Sequence, residues 1–122
     1  MANRTMGPED RAQQSVFEWA QWMQAQYPEL EYMYAVPNGG YRHKATACIL
    51  KLTGVKPGVP DICLPAAHGK YHGLYVEMKA KGGTESEFQK KYIKYLNSAG
   101  YLAVTCWGNH EATDTIERYL RM

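Results

Sequence analysis

Three residues with the means to do chemistry stand in two apolar stretches. Glu77 and Lys79 lie two apart in Leu74-Tyr75-Val76-Glu77-Met78-Lys79, and Asp61 follows Pro60 in Gly58-Val59-Pro60-Asp61-Ile62-Cys63-Leu64-Pro65. Both stretches read as short buried strands bracketed by breakers, joined by a polar loop over Ala66 to His72. On a strand, positions two apart emerge from one face with Cα atoms about 6.8 Å apart. An acid and a base then share one surface, while Val76 and Met78 face the other way. Two charges on one side of an apolar strand cost stability unless they pair, face solvent or hold an ion. If the two strands are antiparallel neighbours, Asp61 and Glu77 bring carboxylates within reach of one hard dication such as magnesium, with the Met78 carbonyl as a further oxygen ligand. Lys79 would then stand beside the attacking water, placed to orient it, take up its proton or stabilise charge on a phosphate. The competing reading of Glu-x-Lys alone is a surface pair on a solvated strand face.

Other elements must hold these groups in place. Ala12, Val16, Trp19, Ala20 and Met23 recur at helical spacing from Pro8 to Tyr27, and Pro28 closes that helix. Leu30 to Val36 reads as a strand or extended strut, and Pro37-Asn38-Gly39-Gly40 as a turn. Ala45, Ile49 and Leu52 share a face of a short helix that Gly54 ends. Ser86 with Gln89 three residues later makes a capping box for a helix whose positions Phe88, Tyr92, Tyr95 and Leu96 share a face. Gly100 ends it, Tyr101 to Trp107 is a third strand, and Glu111 to Leu120 is a closing helix. The order predicts an α/β fold, a small mixed sheet flanked by helices, in one domain over residues 1–122.

Composition narrows the classes. The chain has 122 residues, 14 Lys+Arg against 12 Asp+Glu for a net charge of +2, and 45% apolar residues, which excludes disordered, collagen-like and coiled-coil chains. No apolar run reaches the roughly 18 residues of a membrane helix and no signal peptide is visible, so the expected compartment is the cytosol, with no membrane partner. Cys48, Cys63 and Cys106 lack a ligand spacing and are expected to be buried free thiols. His43, His68, His72 and His110 show no mutual ligand spacing either, and His68 and His72 are expected as exposed loop residues. The pI of about 8.4 is compatible with nucleic acid without requiring it.

Pro60-Asp61, fifteen residues, then Glu77-Met78-Lys79, resembles the PD-(D/E)XK nuclease signature. The words GVPDICLP, GLYVEMKAKGG and SEFQ and the Gly100-Tyr101 strand resemble its virus-type replication-repair nuclease branch, the VRR-NUC domain. Val36 to Val59, with PNGG, Arg42, Ala47, Leu50-Lys51 and Gly54-Val55, is similar to small phage-encoded members in which the domain stands alone, which would place the protein in the host-cell cytosol. The resemblance implies a restriction-endonuclease-like core in which Asp61 and Glu77 hold Mg²⁺ or Mn²⁺ and Lys79 assists the attacking water. It also implies an acidic residue from the first helix, Glu9 or its competitor Glu18, and a glutamine bordering the site, Gln89, which equally well caps its own helix. The implied activity is metal-dependent endonucleolytic hydrolysis of DNA, at branched substrates such as four-way (Holliday) junctions, by a homodimer. The alternative is a non-catalytic junction or single-strand binding module on the same fold.

Lys90, Lys91 and Lys94, with Lys79 and Lys81, form either a strip that tracks phosphates or a solvated helix face. Arg42 and Lys44, beside the paired glycines, form either a substrate loop or part of an ordinary turn. Trp19, Trp22 and the tyrosines are read as core and interface material.

Overall fold

A computed structural model describes residues 5–37 and 44–122. Its elements are α1 (Pro8–Met23), a 3₁₀ helix (Pro28–Tyr32), β1 (Tyr34–Ala35), α2 (Lys44–Leu52), β2 (Ile62–Leu64), β3 (Leu74–Lys79), α3 (Glu87–Ser98), β4 (Leu102–Trp107) and α4 (Asn109–Leu120). The strands form one mixed sheet in the order β1-β2-β3-β4. β1, β2 and β3 are antiparallel neighbours, and β4 runs parallel to β3 after the α3 crossover.

Alternation along β3 sorts the sheet into two faces. Ile62, Leu64, Leu74, Val76, Met78 and Cys106 pack with Val16 and Ala20 of α1 and Ala112, Ile116, Tyr119 and Leu120 of α4 in one buried cluster. Burying these side chains supplies about 1.5–3 kcal/mol for each large aliphatic one, the main force holding the sheet to α1 and α4. Tyr75, Glu77 and Lys79 emerge on the opposite face, where α3 lies against β4. Asn97 of α3 clamps Ala103 of β4 through both amide atoms, each at 3.0 Å. Gly100, at φ +95°, then turns the chain out of α3 while Tyr101 N–H returns to the Leu96 carbonyl, as in a Schellman cap.

Four local expectations are corrected. α1 ends at Met23, not Tyr27: the last turn tightens as Gln26 N–H donates to the Met23 carbonyl three residues back at 3.1 Å, and Pro28 has no N–H with which to carry the helix on. Pro28–Tyr32 is a 3₁₀ helix where an extended segment is predicted from Leu30: Leu30 and Met33, three apart, are both buried, which fits three residues per turn and not a period of two. Cys48 is exposed because α2 packs against no other described element, whereas Cys63 and Cys106 are buried and free. For the same reason Ile49 and Leu52 stay exposed. His68 is half-buried, 2.8 Å from Glu29 and edge-on to Tyr119. The loop folds back over the end of the sheet there, its Ala66 carbonyl accepting the Tyr119 hydroxyl. His72 is exposed as expected, and His43 lies outside the described residues. Among the described residues no helix is long and apolar enough to cross a membrane.

Candidate active site

The β2–β3 register creates the site. Ile62 pairs with Val76, so one residue further Asp61 stands opposite Glu77, on the same face. The ladder stops there because Pro60 has no N–H to give. Asp61 is held at two points: its carbonyl accepts Val36 N–H at 2.7 Å, and its Oδ2 accepts Met78 N–H at 2.8 Å. Met78 therefore meets the site through its backbone, while its side chain lies in the core.

Glu77 is only 2% exposed and Lys79 8%, both unusual for charged residues. Lys79 Nζ lies 3.5 Å from Glu77 Oε2. The same oxygen accepts Gln89 Nε2 at 3.0 Å. Gln89 serves its helix with its other atoms: Oε1 accepts Ser86 N–H at 2.8 Å, and its own N–H donates to Ser86 Oγ at 3.2 Å. Capping and bordering the site are thus done by one side chain. Glu9, in the first turn of α1, brings a third carboxylate: oxygens of Glu9, Asp61 and Glu77 all lie within 4.8 Å of one another. Glu18 is nine residues on, about two and a half turns, so it points to the opposite side of α1 and is exposed.

The charges are out of balance. Burial first, then the neighbouring Asp61 carboxylate, push the Glu77 carboxyl up to about 8, against the pull of Lys79. Burial also raises Asp61, opposed by its bond from Met78 N–H. Three carboxylates and one ammonium at the mouth of a sheet favour either a bound proton or a cation. The donor set is all oxygen, which suits a hard divalent ion of the Mg²⁺ or Mn²⁺ kind.

The basic residues are more dispersed. Lys44, Lys81, Lys90, Lys91 and Lys94 are exposed, and Lys90 lies 3.4 Å from Glu87 in a surface pair. Arg42 lies outside the described residues, as does the turn beyond Pro37. Trp19 packs against the core, whereas Trp22 is 86% exposed.

The family model of the VRR-NUC domain matches residues 8–110. The chain belongs to the VRR-NUC family. A solved structure described as "VRR_NUC domain protein" superposes with a TM-score of 0.81 at 30% identity, covering 96% of this chain and 91% of that one. No curated protein matches. The VRR-NUC assignment carries a nuclease-type fold, and the acidic cluster is compatible with it.

Three features of this VRR-NUC site escape sequence reasoning. Tyr34 pairs with Cys63, and Cys63 with Tyr75, while Tyr75 meets Tyr101 edge-on at 5.4 Å, so an aromatic row borders Glu77 on the same face. Its only sequence signal is that Tyr75, Glu77 and Lys79 share a parity. Gly58 approaches α3 so closely that an added Cβ would sit 2.4 Å from the Phe88 carbonyl oxygen. Thr105 of β4 pairs with Glu77. No local pattern marks either residue.

Proposed function

We propose that this VRR-NUC chain is a divalent-metal-dependent DNA endonuclease, selective for branched DNA and working as a homodimer. The observation that carries the reading is the convergence of Glu9, Asp61 and Glu77 oxygens within 4.8 Å, with Lys79 Nζ 3.5 Å from Glu77. Asp61 and Glu77 would hold Mg²⁺ or Mn²⁺, with Glu9 and the Met78 carbonyl as further oxygen donors. When bound, such an ion stabilises negative charge on the phosphate and lowers the pKa of water. Lys79 orients the attacking water and offsets charge developing on the phosphate. Gln89 holds the orientation of Glu77, and Met78 N–H holds that of Asp61, so neither carboxylate reorganises during the reaction. Lys44, Lys81, Lys90, Lys91 and Lys94, with Arg42, would contact the phosphate backbone.

A two-fold homodimer would present two such sites to the two cut strands of a four-way junction, whose symmetry it would match. The test is nicking of an end-labelled four-way junction and a linear duplex of the same sequence, in Mg²⁺ and in EDTA. The expected result is EDTA-sensitive cleavage of the junction well above that of the linear duplex, with a loss of about a thousandfold or more in Glu77→Gln. Equal cleavage of both substrates removes the branch selectivity. Junction binding with no cleavage in any metal favours the binding-module alternative. Sedimentation at micromolar concentration tests the dimer: monomer alone would refute it.

A further inference from the structure

Thr105 sits on β4 in direct register with Glu77. Paired residues of neighbouring parallel strands point to the same face with backbones about 4.8 Å apart, so its side chain stands beside the carboxylate. Its hydroxyl oxygen is shut off from solvent and has no hydrogen-bond partner, the one buried side-chain nitrogen or oxygen in that condition among the described residues. Nearly all buried hydroxyls in folded proteins are satisfied, and an orphan costs stability that a methyl group of the same shape would not. Valine would fill the space, and a β-strand favours it at least as well as threonine.

The surroundings say what the hydroxyl is for. Glu77 Oε2 is engaged by Gln89 and Lys79. A fully ionised carboxylate has about four acceptor positions, more than these donors fill. We propose that Thr105 is a positioning residue for Glu77: its hydroxyl donates to the ionised carboxylate in the cation-loaded site and holds the orientation in which Glu77 binds the ion. The proposal rests on the metal-site reading above. Partners of this kind, one bond removed from the ion, typically contribute 10–100-fold in affinity.

The test is a calorimetric Mn²⁺ titration of wild type, Thr105→Val, Thr105→Ser and Glu77→Gln, with Tm of each measured in EDTA. Thr105→Val is expected to weaken Mn²⁺ binding about tenfold or more while raising the metal-free Tm by about 3 °C, since an orphaned hydroxyl is removed. Thr105→Ser, which keeps the hydroxyl and loses the methyl group, is expected to bind Mn²⁺ within about threefold of wild type. Mn²⁺ affinity of Thr105→Val within twofold of wild type overturns the proposal. So does a Thr105→Ser variant as weak as Thr105→Val, which would assign the effect to packing. A lower metal-free Tm in Thr105→Val also overturns it, because the hydroxyl would then have a partner in the resting protein. Unchanged Mn²⁺ binding in Glu77→Gln refutes the metal-site reading itself, a result distinct from each of these.

Discussion

At the scale of single residues, the site is governed by the cost of keeping Glu77 charged. Its carboxyl is raised from the ordinary 4.5 to about 8, so between those values the folded protein holds a proton that the unfolded chain has released. Stability changes with pH as the difference in bound protons, unfolded minus folded, which is negative here; metal-free stability therefore falls as pH rises through this window. The proposed divalent cation would compete for the same oxygens, and its affinity should rise with pH, by up to about tenfold per unit, until about 8. Thermal melts of wild type and Glu77→Gln from pH 5 to 8.5, in EDTA and in Mn²⁺, test this. The wild type should lose stability relative to the variant as pH rises in EDTA and regain it in Mn²⁺; a difference that stays flat with pH would contradict the account. Asp61, Glu77 and Lys79 were legible in sequence because Pro-Asp and Glu-x-Lys in two apolar runs are costly unless they do something. Thr105 was not legible, because an ordinary β-branched strand residue becomes unusual only once its neighbours are known.

At the scale of elements, the N-terminus of α3 is the part that delivers Gln89, and Gly58 fixes where it sits. Gly58 has φ +86° and backs directly onto the Phe88 carbonyl, whereas Gly54 has φ +107° with nothing within 4 Å of an added Cβ. Gly58→Ala should cost about 3 kcal/mol or more, since backbone strain is joined by a clash with backbone that no side-chain rotation relieves. Gly54→Ala should cost about 1–2 kcal/mol, from strain alone. Urea denaturation separates the two, and Gly58→Ala should also lose cleavage as Gln89 is displaced from Glu77. Equal costs at both positions would show that the close approach is unimportant. Ser86 and Gln89 announced the start of α3 correctly because a capping box is a local device. The exposure of Phe88, Tyr95, Ile49 and Leu52 was not announced: helical spacing marks an apolar face but says nothing about whether another element covers it.

At the scale of the whole molecule, the order of elements and the mixed sheet followed from periodicity and breakers, and membership of the VRR-NUC family bears out the resemblance carried by Pro60-Asp61 and Glu77-Met78-Lys79. The contribution of α1 was less visible. Spacing places Glu9, the candidate, and Glu18, its competitor, on different sides of the helix, but the packing of α1 on α4 and β3 is what turns Glu9 toward Asp61. Three carboxylates from α1, the start of β2 and β3, far apart in sequence, thus meet at one end of the sheet opposite the core, and the proposed chemistry depends on a cation being held there. The most direct measurement is anomalous diffraction from a crystal soaked in Mn²⁺. A peak is expected within about 2.5 Å of carboxylate oxygens of both Asp61 and Glu77; a saturating soak with no peak between them, or a peak bound only elsewhere, would contradict a cation held at this site.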